Sequence, residues 1–179
     1  MKKRRVCASC AYIFILIIYS FTSAYFLYSC KKEPAKPVSP GEIMRQISES
    51  GIISLRLEIF PLKDKKKLGQ EDFLSLYGEK DFDVSSLSES AVGRYETEDM
   101  IGEAGIFKLL DKTEVEKYRG IFTQYIADMQ KYYVGAGETA KAASANDGEV
   151  RDYGNYVYYA VCEKKDKVFE IIESALGGK

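Results

Sequence analysis

The chain begins with a basic tetrapeptide and a long apolar run, and these two features constrain every later segment. Residues 2–5 are Lys-Lys-Arg-Arg, and residues 6–28 are almost entirely apolar or aromatic. A basic start followed by an apolar stretch that ends near small residues is typical of a secretory signal. The run is also long enough to span a bilayer, so an uncleaved transmembrane helix is the alternative. In either case the four cations favour a chain whose remainder faces outward.

The residues that close the apolar run are Leu27, Tyr28, Ser29 and Cys30. With a leucine three positions before the cysteine and a serine directly before it, this stretch resembles a bacterial lipobox, although Tyr28 is bulkier than usual. The resemblance implies cleavage between Ser29 and Cys30 and a diacylglyceryl group on the Cys30 thiol. A cysteine is needed there because its thiolate is the nucleophile that accepts the lipid.

This interpretation divides the chain into three parts. They are a lipoprotein signal peptide over residues 1–29, a lipidated cysteine with a proline-rich tether over residues 30–40, and a single domain over residues 41–179. We therefore expect a protein anchored to the cell membrane through lipid on Cys30 and facing outside the cytoplasm. The mature chain of 150 residues is long enough for one domain with its own core.

Charge and composition exclude several functional classes. Loss of the four signal cations leaves 22 basic and 27 acidic side chains, a formal charge of −5. An acidic domain of this kind does not favour nucleic acid as a partner. The sequence contains no histidine, which excludes Ser-His-Asp triads, Cys-His pairs and ordinary His-ligated zinc sites. We expect no metal and no cofactor.

Four cysteines are present, but they do not form a disulfide framework. Cys7 and Cys10 leave with the signal, and Cys30 carries the lipid. Cys162 is then alone in the domain, within an apolar strand pattern where a free cysteine behaves as a small hydrophobic side chain.

The hydrophobic periodicity predicts an α+β fold with an antiparallel sheet of about four strands in two hairpins, a long central helix and a C-terminal helix. We expect the helices mostly on one face of the sheet. Thr113 and Glu116 have the spacing of a capping box, and Asp166 is the expected cap of the last helix. The predicted elements are a helix over 39–50, an extended segment over 52–62, a short helix over 70–77, strands over 91–97 and 104–110, a long helix from 113 to about 134, strands over 148–152 and 156–163, and a last helix over 166–176.

The order of short motifs resembles a family of small bacterial lipoproteins from Clostridia-like Firmicutes, known as domain of unknown function 4358. The residues that carry the resemblance are Leu76-Tyr77-Gly78, Gly102-Glu103-Ala104-Gly105-Ile106-Phe107-Lys108, Tyr133 and Gly154-Asn155-Tyr156-Val157. The chain departs from the family at Gly135-Ala136-Gly137, where a proline followed by acids is expected. The resemblance implies a membrane-attached extracytoplasmic protein and supplies no catalytic residues.

Glu103 and Asp99 are the residues that we single out as a candidate functional surface. Paired carboxylates are the catalytic groups that a protein without histidine could use on cell-wall glycans, and they would lie about 5–10 Å apart in a cleft. The simpler interpretation, which we prefer, is that both are turn and strand-start residues facing water.

Three functions fit these observations. The preferred one is a non-enzymatic envelope module that binds a protein or a wall component. The enzymatic alternative is a carboxylate-dependent cell-wall glycan hydrolase. The third is an accessory subunit of a membrane complex, which predicts an apolar face near the membrane-proximal end.

Overall fold

The structure is a computed structural model that describes residues 38–53, Tyr77 and residues 82–177. The predicted signal and lipidation site, most of the extended segment 52–62, and the short helix 70–77 apart from Tyr77 lie outside the described residues. Of the described helices, none is both long enough and apolar enough to cross a membrane.

In the part of the chain that the structure describes, one four-stranded antiparallel sheet forms the centre of the domain. Its strands are β1 (Leu87–Glu96), β2 (Ile101–Leu109), β3 (Glu149–Tyr153) and β4 (Tyr156–Val161), and their order across the sheet is β1-β2-β4-β3. Both predicted hairpins form, joined by residues 97–100 and 154–155. Gly154 has φ +65° and is followed by a residue with negative φ, the pattern of a type II′ turn. The predicted α+β class is confirmed.

Among the described residues, four helices pack against this sheet, and they cover both of its faces. They are α1 (Pro40–Glu49), α2 (Val115–Gly135), α3 (Thr139–Asn146) and α4 (Lys165–Leu176). Helices α2 and α3 share one apolar cluster with the sheet, and α1 and α4 share the other. The expectation that the helices lie mostly on one face is wrong.

The interior strand β4 explains the two-sided packing. Val157, Tyr159 and Val161 are buried in the cluster under α2, while Tyr158 and Ala160 are buried in the cluster under α1 and α4. Since successive side chains of a strand point to opposite faces, an apolar residue at every position requires cover on both sides.

The helix ends agree only in part with the sequence patterns. The sequence predicts that Ser39 or Pro40 opens the first helix, and Ser39 caps α1 by accepting a hydrogen bond from the Glu42 amide at 3.2 Å. The prediction of a capping box that starts at Thr113 is wrong, because the Asp111 carboxylate accepts a hydrogen bond from the Thr113 amide at 2.8 Å. Asp111 thereby caps a 3₁₀ turn over Lys112–Glu114 that leads into α2.

The last helix also begins differently from the prediction. Lys164 occupies the N-cap position of α4 without a side-chain cap, and Asp166 lies within the first turn. The sequence predicts that Gly135 and Gly137 stop α2 and that Gly177 ends α4. Helix α2 ends at Gly135, and Gly137 and Gly177 follow α2 and α4 with φ +77° and +84°, so these stops are confirmed.

The apolar stripe of α2 is confirmed as core with one exception. The spacing of apolar residues in the sequence places Tyr132 in this stripe and predicts that it faces inward, but its side chain is 69% exposed. The buried members of the stripe are Val115, Tyr118, Ile121, Phe122, Tyr125, Ile126, Met129 and Tyr133.

Candidate functional site

Glu103 lies inside the domain, between the sheet and α2. It is the third residue of β2 and pairs directly with Arg94 on β1. Phe107, four residues further along the same face of β2, belongs to the cluster under α2. Only 2% of Glu103 is exposed, so the expectation that it faces water is wrong. The strand begins at Ile101, which places Glu103 inside the sheet and under the helix.

The Glu103 carboxylate is held by partners on three different elements. The Tyr125 hydroxyl on α2 donates to Oε1 at 2.9 Å and lies 3.1 Å from Oε2. The Tyr159 hydroxyl on β4 also donates to Oε1. Arg94 Nε lies 3.2 Å from Oε2. Both carboxylate oxygens therefore have charged or hydroxyl partners, as a buried acid requires.

A further tyrosine extends this cluster. The Tyr77 hydroxyl lies 2.9 Å from the Tyr159 hydroxyl, and the Tyr77 ring centroid is 4.7 Å from that of Tyr125. Phe107 and Phe122 stack beside them with centroids 4.4 Å apart. These rings exclude water from the carboxylate, which strengthens each hydrogen bond and makes an unpartnered polar group there costly.

Burial sets the protonation behaviour of the cluster. It raises the pKa of Glu103, and the nearby Arg94 and the two hydroxyl donors oppose that rise only in part. Burial and the neighbouring Glu103 also raise the pKa of both Tyr125 and Tyr159. Both phenols therefore remain protonated donors, and the cluster has no group poised to act as a phenolate.

A second polar group connects the same face of the sheet to the surface. Glu96, two positions after Arg94 on β1, accepts from Tyr133 at 3.3 Å and from Lys141 at 3.0 Å. Lys141 on α3 also pairs with Glu138 at 2.5 Å. These contacts join the end of α2, the start of α3 and the end of β1.

Asp99, the predicted companion of Glu103, lies in a different environment. It is exposed in the four-residue connection between β1 and β2. That connection is closed by Thr97, whose amide donates to the Met100 carbonyl at 2.8 Å and whose Oγ1 accepts from the Met100 amide at 3.1 Å. One acid is exposed and the other is buried, so the structure does not assemble them into a pair.

Cys162 is buried directly after β4, with 3% of its surface exposed. Burial raises the pKa of its thiol, which disfavours the reactive thiolate. The expectation that Cys162 is a core side chain is confirmed. A cavity of about 70 Å³ lies beside it and Tyr95. Typical ligand pockets are larger, about 300 Å³ or more.

Metal binding has no candidate in the described part of the chain. Across residues 38–53, Tyr77 and residues 82–177, no three acids or cysteines are grouped in a way that could hold an ion.

The sequence singled out Glu103 but missed Arg94, Tyr125 and Tyr159 as its partners. One signal could have exposed its burial. Glu103 alternates with Ile101 and with the apolar positions further along β2, so it occupies a position on an otherwise apolar face. A charged residue at such a position requires buried partners.

The residues of the glycine-containing motif on β2 have clear packing roles. A side chain at Gly102 would overlap the ring of its β1 partner Tyr95, and one at Gly105 would overlap the ring of its β4 partner Tyr159.

Comparison with known proteins finds no family model, no curated protein and no solved structure that matches the chain. The resemblance to the family of unknown function stays a prediction.

Proposed function

We propose that this chain is a lipid-anchored protein on the outer side of the cytoplasmic membrane, and that it binds or assists another envelope component without catalysing a reaction. The anchoring part rests on the sequence of residues 1–30 and on the thiol of Cys30. The partner is an envelope protein or a wall component.

One observation carries the non-enzymatic part of the proposal. Glu103, the best candidate acid, is 2% exposed, and both of its oxygens are occupied by Arg94, Tyr125 and Tyr159. A general acid must lie within hydrogen-bond distance of the substrate atom that it protonates. A carboxylate enclosed by three partners under a helix serves instead to join β1, β2, β4 and α2.

Hydrolysis of wall glycans is the alternative proposal, and one property favours it. Burial raises the pKa of Glu103, which is what a glycosidase requires of its general acid. That mechanism also needs a second carboxylate across the scissile bond, and Asp99 does not supply it because it stands in the exposed β1–β2 connection.

Glu103→Gln separates the two functions. The mature wild-type protein and this variant would be incubated with purified peptidoglycan, and released sugars would be measured by chromatography and mass spectrometry. We expect no release from either protein. Release by the wild type that is lost in Glu103→Gln, while both proteins stay folded, would contradict the binding proposal.

Crosslinking in cells tests the binding role directly. The wild-type protein would be crosslinked at the cell surface, and the captured material would be compared with that from a secreted form of residues 31–179 that carries no anchor. Cys30→Ala is not the control here, because it is expected to keep the apolar residues 1–29. We expect one dominant envelope component, captured only when the protein is anchored. Equal capture by both proteins would contradict a role that depends on the membrane anchor.

A further inference from the structure

The end of the domain at which the tether arrives is defined by a contact in the structure. Tyr156, the first residue of β4, donates a hydrogen bond from its hydroxyl to the Val38 carbonyl at 3.2 Å. Val38 is partly buried against the cluster under α1 and α4. The chain therefore enters the folded domain beside the turn that connects β3 to β4.

Two large apolar side chains are exposed at this same end. Leu110 is 67% exposed and Tyr153 is 44% exposed. Tyr153 pairs with Tyr156 across the turn, and Leu109 exchanges two hydrogen bonds with Asn155 at 2.8 and 2.6 Å. Leu110 follows Leu109 directly. We call this region, made of Val38, Leu110, Tyr153, Asn155 and Tyr156, the hairpin end.

The other exposed large apolar side chains of the described residues lie at the opposite end of the sheet. Met100 is in the β1–β2 connection, while Tyr132 and Val134 are near the C-terminus of α2. The hydrogen bond from Tyr133 to Glu96 places that terminus beside the β1–β2 connection. Strand β2 separates the two ends by about 26 Å, at about 3.3 Å per residue.

Chain length limits how far the hairpin end can lie from the lipid. Eight peptide steps join Cys30 to Val38, and a fully extended chain covers at most about 3.6 Å per residue, or about 29 Å. The tether thus keeps the hairpin end within about 29 Å of the lipid, while the opposite end of the sheet can lie about 26 Å further out. Tyrosine and leucine both suit the membrane–water interface, tyrosine because its ring is apolar and its hydroxyl can remain hydrated.

We propose that the hairpin end contacts the lipid surface, with Leu110 and Tyr153 inserted at the membrane–water interface. This inference rests on the proposed lipidation of Cys30. Charged neighbours of both signs flank the two residues: Lys112 and Asp111 are exposed, and Asp152 pairs with Arg119 at 3.3 Å. The contact is therefore mainly apolar, and it does not require anionic lipids.

The absence of tryptophan from the chain allows a direct test. Tyr153→Trp and Leu110→Trp each place a single fluorescent reporter at the hairpin end. Tyr132→Trp is the matched control, since Tyr132 is also an exposed tyrosine but lies at the opposite end. Each mature protein would be extracted from membranes and reconstituted in zwitterionic vesicles with and without brominated lipid. Mass spectrometry would first establish whether Cys30 is acylated.

We expect Tyr153→Trp and Leu110→Trp to show several-fold stronger quenching by brominated lipid than Tyr132→Trp, together with blue-shifted emission. Equal, weak quenching of all three acylated proteins would overturn this inference alone. It would direct attention to a protein partner at the hairpin end. An unacylated Cys30 would overturn the proposed anchoring and this inference together.

Discussion

The ring of Tyr159 lies across Gly105, its direct partner on the neighbouring strand. A Cβ atom on Gly105 would lie 2.7 Å from Tyr159 Cζ, and closer still to Cε1. The missing side chain allows the Tyr159 ring to lie flat enough for its hydroxyl to reach the Glu103 carboxylate. One glycine thus determines the position of one of the three side chains that contact the buried carboxylate.

Gly105→Ala should therefore lower the free energy of unfolding by about 1–3 kcal/mol, as overpacked core substitutions do. Gly120→Ala is the matched control, because Gly120 is exposed on α2 with no atom near the position of a new Cβ. Alanine there should raise stability by about 1 kcal/mol through helix propensity. Urea unfolding of both variants measures these changes. Equal changes in the free energy of unfolding would show that the packing of the Tyr159 ring does not require a glycine at position 105.

Tyr125→Phe should lower stability by about 1–3 kcal/mol, because it removes a hydroxyl donor from a buried carboxylate. Tyr125→Ala removes the buried ring as well and should cost about 3–5 kcal/mol. Tyr132→Phe and Tyr132→Ala, on the exposed side of the same helix, should each change stability by less than about 0.5 kcal/mol. Thermal and urea unfolding would measure all four. Equal losses at positions 125 and 132 would show that the cluster under α2 is not packed as described.

Glu103 should give the domain an unusual pH dependence. Its pKa is raised in the folded state above the ordinary value of 4.5, because burial disfavours the carboxylate. The stabilising contribution of Glu103 is then fully present below its unfolded pKa. That contribution is lost as the pH rises through its folded pKa.

Glu103→Gln isolates this effect, because the contributions of the other titrating groups to the pH dependence of stability largely cancel when the two proteins are compared. The stability advantage of the wild type over the variant should be largest below the unfolded pKa of Glu103 and should shrink as the pH rises through its raised folded pKa. Urea unfolding at several pH values would measure the difference. An advantage that grows with rising pH would mean that attraction to Arg94 outweighs burial and lowers the pKa of Glu103.

Cys162 should be inaccessible to thiol reagents until the domain unfolds, because it is buried and its pKa is raised. Mature protein in denaturant should then show one reactive thiol per chain, because Cys30 is expected to be acylated and Cys7 and Cys10 to be absent. Titration with a chromogenic disulfide under native and denaturing conditions measures both values. Rapid reaction of native protein would contradict the burial, and additional thiols would show that the N-terminal segment is retained or that Cys30 is free.

Several elements could be predicted correctly from residues that lie close together in the sequence. The continuous apolar run of β4, the hairpin predicted around residues 153–155 and the periodic stripe of α2 each depend on neighbouring residues, and each of these elements is confirmed. The choice of sheet face for α1 and α4 depends on long-range packing, which an apolar helix stripe does not specify.

The environment of Glu103 shows why the site was harder to predict than the fold. A turn predicted over residues 98–102 made Glu103 a strand-start residue, whereas the connection ends at Met100 and β2 begins at Ile101. This difference moves Glu103 into the sheet. Its partners Arg94, Tyr125 and Tyr159 come from three separate elements, and only the strand register and the packing of α2 bring them together.

The lipid anchor on Cys30 is the claim on which the location, the orientation and the proposed role all depend. Mass spectrometry of the intact protein and of its N-terminal fragment, after extraction from cell membranes, tests it most directly, with Cys30→Ala as the control. We predict that the wild-type chain begins at Cys30 and carries a diacylglyceryl group, while Cys30→Ala keeps residues 1–29 and carries no lipid. A wild-type chain that retains residues 1–29 without lipid, or normal processing of Cys30→Ala, would contradict the account.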